Sequence, residues 1–197
     1  MLRSLALLIV CTLSVLWMSP SAQATIIDYN CASDGDGAIV MSNLEYDYEL
    51  GELDCAGQQY RGPAHINGDF GTDTPLDPTV KFINTIENDT DFAWTGYVID
   101  LTMDKTFTLQ SVAAPSGWLA TVTQPTMVNG KYVGVIEYSG GAPITVGQDG
   151  TFGYKASFAG SVAFSQAMTP LPEPGSLLLL AGGSVFMFLR RRRSARE

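Results

Sequence analysis

The sequence predicts an all-β fold: an antiparallel β-sandwich of the Ig-like or jelly-roll kind, with an N-terminal signal peptide and a short C-terminal transmembrane helix added at its ends. Three observations carry the prediction. Apolar residues recur with period two, as in Thr151-Phe152-Gly153-Tyr154-Lys155-Ala156-Ser157-Phe158, where Phe152, Tyr154, Ala156 and Phe158 fall on one face of an extended strand. Thr106-Phe107-Thr108-Leu109 repeats the pattern, and Ser161 to Phe164 does so more weakly. Turn formers punctuate the chain about every ten residues: Asp89, Asp104-Lys105, Pro115-Ser116-Gly117, Asn129-Gly130, Gly140-Gly141, Asp149-Gly150 and Gly160. Outside the two ends no window shows a sustained helical period. Short strands at this spacing make a sandwich of about eight to ten strands.

The elements follow in chain order. Arg3 precedes an apolar run from Leu5 to Met18, and Ser19 to Ala24 closes it with Ala22 and Ala24 in the A-x-A spacing. A charge, an apolar core and small residues at this spacing are a secretory signal peptide, 1–24, with cleavage after Ala24. Cys11 lies inside the apolar run, not just after it, so a lipoprotein signal does not fit.

Residues 25–169 form the exported domain. It carries eighteen acidic and five basic side chains, a net charge of −13. Such a surface keeps a secreted protein soluble and repels anionic polymers, so nucleic acid is not a partner. Asn129-Gly130 between two extended runs is a type I′ hairpin turn. The stretch 53–78 is broken by Gly57, Gly62-Pro63, Gly68, Gly71, Pro75 and Pro78, and reads as a long loop with a short strand near Gln58 to Arg61. Gln166 to Pro174 reads as a linker to the tail.

The tail, 170–197, has three ordered parts. Pro172-Glu173-Pro174 comes first, an uncharged stretch from Gly175 to Leu189 follows, and Arg190, Arg191, Arg192 and Arg193 end it. Fifteen helical residues span about 22 Å, short of a hydrocarbon core of about 30 Å. This is a marginal span, and the arginines hold its far end in the cytoplasm. The tripeptide, the short apolar helix and the terminal arginines together resemble the PEP-CTERM sorting signal of exopolysaccharide-producing Gram-negative bacteria. The resemblance implies that Pro172, Glu173 and Pro174 are the processing signal and that the arginines are the membrane stop. It also implies an exosortase-type transpeptidase as partner, transient residence in the inner membrane, and delivery to the cell surface or an extracellular, exopolysaccharide-containing matrix.

Chemistry in the exported domain is sparsely signalled. Cys31 and Cys55 are its two cysteines, and an even count in an exported chain reads as one disulfide. Its closure of about 25 residues would stabilise the fold by roughly 3.5 kcal/mol; free thiols are the alternative. Asp34 and Asp36, with Glu45, fit positions of a calcium loop, but Ala38 and Ile39 depart from it, so an acidic turn is the stronger reading. Asp69, Asp73 and Asp77 recur every four residues, where Gly71, Pro75 and Pro78 forbid a helix. One histidine, His65, leaves little room for zinc-histidine or Ser-His-Asp chemistry, and no cofactor is implied. Trp94, Trp118, Tyr97, Tyr132 and Tyr138 either line an aromatic platform for sugar rings or fill the core, and Trp94 reads as core. These features predict a non-catalytic surface or matrix protein with glycan as a candidate neighbour. A secreted carbohydrate-active enzyme, using a pair among the eighteen acids, is the alternative.

Overall fold

A computed structural model describes residues 24–173. Ala22, Pro174, the apolar tail and Arg190 to Arg193 lie outside the described residues, and no helix among the described residues is long and apolar enough to cross a membrane. The eleven strands are β1 (Ile26–Ser33), β2 (Ile39–Asp47), β3 (Glu52–Gln59), β4 (Ala64–Thr72), β5 (Thr79–Asn88), β6 (Trp94–Met103), β7 (Phe107–Ala113), β8 (Leu119–Val128), β9 (Lys131–Ile144), β10 (Asp149–Phe158) and β11 (Val162–Pro172). They form two sheets, ordered β1-β4-β11-β6-β9-β8 and β2-β3-β5-β10-β7.

The period-two pattern explains the layering. In β5, buried Val80, Phe82, Asn84, Ile86 and Asn88 alternate with half-buried residues, so one face of the strand meets the opposite sheet. The core is aromatic. Phe70 stacks on Phe164 with centroids 5.0 Å apart, Phe82 on Tyr154 at 4.7 Å, and Tyr97 on Phe152 at 4.1 Å. Pairs of this kind add to the burial of their area. Buried polar groups are matched within the same layer. Gln166 donates to Asn84 at 2.7 Å and accepts from the Tyr154 hydroxyl, while Asn84 donates to the Phe152 carbonyl at 3.2 Å. Tyr97 donates to Gln59 at 2.6 Å. No buried side-chain polar atom lacks a partner among the described residues, which keeps this network from carrying a desolvation penalty.

The hairpin at Asn129-Gly130 is present: Val128 pairs with Lys131, and the two turn residues take φ of 51° and 80°. Several expectations are corrected. The sheets are not wholly antiparallel, because β3 runs parallel to β5; β4 crosses to the other sheet between them, so the chain returns in the same direction. The long loop expected over 53–78 is mostly β3 and β4. Gly68 lies inside β4, where a Cβ would run into the Asn30 carbonyl and sit 2.9 Å from the Phe164 ring. The glycine there serves close strand packing, not a turn. Gly140 and Gly141, expected to end a strand, lie inside β9 with φ of 84° and 69°. The linker expected over 166–174 is strand as far as Pro172.

The aromatic residues fill the core, as expected of Trp94, and do not line a platform. Trp94 and Tyr97 are fully buried, Tyr138 and Trp118 nearly so, and Tyr132 packs half-buried against the core. The Trp118 indole donates to the Ala142 carbonyl at 2.9 Å, and the Trp94 indole to Thr90 at 3.0 Å.

The expected disulfide is absent: Cys31 and Cys55 are free thiols. They stand on facing sheets, Cys31 on β1 and Cys55 on β3, so bonding has to bridge the layer between two sheets, and disulfide geometry is demanding. Burial pushes the Cys31 thiol up to about 12, with the Asp69 carboxylate adding to it. Burial raises Cys55 well above the thiol range, with a smaller push from Cys31.

Candidate functional site at the C-terminal end of β11

β11 is a central strand, held between β4 and β6, and the tripeptide Pro172-Glu173-Pro174 begins on its last residue. Its pairing with β4 ends where Met168 meets Ala64, while its pairing with β6 continues through Thr169↔Val98, Pro170↔Tyr97 and Leu171↔Gly96 to Pro172↔Trp94. The final segment is therefore laddered on one side. The prolines fit that asymmetry. Pro170 turns its ring, and so its missing N–H, toward Gly62, where a Cβ would come within 2.6 Å of Pro170 Cδ. A proline in a central strand is tolerated where the neighbouring strand has stopped.

On the β6 side, Leu171 lies over Gly96, where a Cβ would meet Leu171 Cδ1 at 3.1 Å. The register then slips between Leu171 and Pro172, leaving Thr95 as the extra residue. The Thr95 hydroxyl donates to the Pro172 carbonyl at 3.2 Å, taking up an acceptor at the point where the regular ladder breaks. Pro170 is buried, Pro172 half-buried, and Glu173 exposed. The processing signal thus emerges from the sheet one residue at a time, with its first proline still attached to the fold.

The loop Asp34 to Gly37 stands at the same end of the sandwich. It is a self-capped turn. Asp34 Oδ1 accepts the Asp36 N–H at 3.2 Å, and Asp36 Oδ1 accepts the Ala38 N–H at 2.7 Å. His65 Nδ1 lies 3.1 Å from Asp34 Oδ2, and Arg61 reaches the Asp36 carbonyl. The Asp36 N–H holds the Asp34 carboxyl below its usual range, and the His65 ring adds to this. Glu45 lies far along β2, paired with Asp54, so the three calcium-loop positions are not brought together. No group of three potential metal ligands occurs among the described residues. Asp73 is engaged elsewhere, accepting the Thr25 N–H at 2.9 Å.

Two other places bear on chemistry. A hollow of about 380 Å³ is lined by Glu45, Asp47, Tyr48, Glu49 and Asp54 at the β2–β3 hairpin. Tyr48 is exposed there and packs edge-on against Tyr46, with centroids 5.1 Å apart. On β6, burial raises the Asp100 carboxyl, with Glu137 adding to it. The perturbed carboxyl and the acid-lined hollow belong to different sheets. Sequence reasoning missed Tyr48, the Thr95 bulge and the slot formed by Gly62 and Gly96. Tyr48 falls in the turn after β2, beyond the reach of strand periodicity, and the others depend on register.

The family model of the PEP-CTERM protein-sorting motif matches residues 170–193. No curated protein and no solved structure matches. The matched segment begins on Pro170, within β11, so the sorting motif and the sandwich share their junction residues. The C-terminus is an exosortase-type sorting signal, the mark of an exported protein directed to the surface.

Proposed function

We propose that this chain is a non-catalytic protein of the cell surface or extracellular matrix, released from the inner membrane by removal of its tail after Pro174. The observation that carries the reading is the position of the motif. Pro172 ends a central strand and Gly175 begins the apolar stretch, so an extended chain leaves at most about 10 Å between the sheet and the membrane segment. In the precursor the sandwich therefore sits close against the outer face of the bilayer. Cleavage beyond Pro174 would free the whole fold, whereas cleavage upstream of Val162 would remove the strand that joins β4 to β6.

Two features support a non-catalytic role in a neutral glycan environment. Asp100, whose carboxyl burial raises, lies on a different sheet from the acid-lined hollow, so the two do not converge on one cleft. The net charge of −13 disfavours anionic polymers, while exposed Tyr48 offers a ring edge and its acidic neighbours offer acceptors for hydroxyls. Mass spectrometry of the surface and matrix fractions of the native host tests the reading. C-terminal peptides should end near Pro174, and peptides reaching Leu189 or Arg190 should be confined to membranes. Mature surface protein that retains the arginines contradicts release. Hydrolysis of a matrix polysaccharide by the purified protein favours the enzyme alternative.

A further inference from the structure

We propose that Thr95 is a positioning residue for the sorting reaction: by holding the Pro172 carbonyl it keeps the first proline of the motif on the sheet, so the processing enzyme gains the full tripeptide only when the end of β11 frays. This rests on the sorting reading above and adds a rate-setting element supplied by the substrate itself.

Three observations converge on it. The segment Thr169 to Pro172 is laddered to β6 alone, because β4 stops opposite Met168. A strand end with one neighbour opens at much lower cost than a strand centre with two. The last attachment at the motif is a side-chain bond: the register slips at Thr95, and its hydroxyl donates to Pro172 at 3.2 Å. Proline at 172 has no N–H to give β6, so the hydrogen bond at this residue runs through its carbonyl alone. Finally, Gly96 accommodates Leu171 so closely that a Cβ would meet its side chain at 3.1 and 3.3 Å. The final residues are thus seated against β6, and Glu173, exposed, is the first residue beyond that seat. An enzyme that must grip an extended tripeptide finds its first residue on the sheet and Glu173 beyond it.

The chemistry of cleavage belongs to the transpeptidase. The domain contributes an opening equilibrium ahead of it. Loss of one partly exposed hydrogen bond shifts such an equilibrium about two- to fivefold. Valine matches threonine in shape and keeps the β-branched backbone preference, so Thr95→Val removes the donor with little change in packing.

The test is pulse-chase labelling of the full-length chain in its native host, following conversion of precursor to the shorter form. The Thr95→Val precursor should be processed about two- to fivefold faster than wild type, and Thr95→Ser should restore the wild-type rate. In parallel, hydrogen exchange on detergent-solubilised precursor from a strain lacking the processing enzyme should show faster exchange at the Leu171 amide in Thr95→Val. Faster exchange with unchanged or slower processing overturns the proposal and leaves the sorting reading standing. Unchanged exchange overturns it as well, because the hydroxyl then holds nothing. A wild-type precursor that is never shortened removes the sorting reading and, with it, this one.

Discussion

At one end of the sandwich the chain enters through β1, an edge strand paired with β4; at the other it leaves through β11, which is held between β4 and β6. Ile26 pairs with Thr72 and Met168 with Ala64, at opposite ends of β4, so the two termini of the domain lie a strand length apart, about 30 Å. The C-terminal end carries the sorting motif and the N-terminal end follows the segment read as a signal peptide, and the two are built differently. The entrance is at an edge, where loss of a few residues exposes one ladder. The exit is through a central strand whose last residues are laddered to β6 alone, so a loss opens two ladders only once it reaches back to Met168. A sorting tail hung on a central strand can be cut only outside the fold, and that constrains where processing may act. The sharpest way to break this comparison is to weaken each strand by one core side chain. Phe164→Ala on β11 removes a ring stacked on Phe70 and should cost about 3–5 kcal/mol. Ile26→Ala on β1, at the start of an edge strand, should cost nearer 2 kcal/mol. Urea unfolding of the mature protein measures both, and equal costs would erase the distinction between the ends.

The thiols sharpen it. With the Cys31 thiol pushed up to about 12, its reactive thiolate is scarce at pH 8, and native labelling by iodoacetamide should be slower than in the unfolded chain by a factor on the order of 100 to 1000. Cys31 lies on the edge strand and Cys55 is buried on β3, so Cys31 should label first as β1 frays. The sign is fixed by burial: raising the pH toward 12 increases native labelling of Cys31. In denaturant without reductant both cysteines should label, and a chain that takes up none contains the disulfide after all. A smaller effect is expected at the exit slot. Gly62→Ala places a Cβ 2.6 Å from Pro170 Cδ and should cost about 1–3 kcal/mol, with increased protease sensitivity confined to the segment after Met168.

The sandwich was legible because period two survives over long stretches: β3 and β5 show it throughout and β10 over most of its length, and Asn129-Gly130 marked its hairpin. Gly68 was misread because glycine forced by a close contact looks in sequence like glycine chosen for a turn; the Asn30 carbonyl and Phe164 ring that require it are distant in the chain. Gln166 to Pro172 read as a linker for a related reason. Prolines argue against a central strand, and here the argument fails only because β4 stops at Ala64, a fact of pairing register. The sorting signal was plain because its three parts are contiguous. The Thr95 bulge was hidden because it exists only between β6 and β11. Period two sorts a tryptophan to a face without saying whether a second sheet covers that face, so Trp118 and Tyr138 stayed ambiguous until the layers were known.

The smallest effect probes the entrance. The Thr25 N–H donates to Asp73 Oδ1 at 2.9 Å, and the Asp73 N–H returns a bond to the Thr25 carbonyl at 3.2 Å. If the signal peptide is cut after Ala24, that amide nitrogen becomes the α-ammonium of the mature chain, and a neutral hydrogen bond turns into an ion pair at the same place. Exposed pairs are worth little, so Asp73→Asn should destabilise the mature protein by less than about 1 kcal/mol, and the loss should shrink at high salt. In the uncleaved precursor the same substitution should matter less still, because the amide carries no charge. The contrast with Thr95 is then complete in kind: cleavage at the edge adds an attachment to the fold, while cleavage at the centre requires one to let go. Urea unfolding of the wild type and Asp73→Asn, each with and without 1 M salt, checks it. A difference that persists unchanged in salt shows that the terminus carries no pairing charge at Asp73, and places the mature start elsewhere.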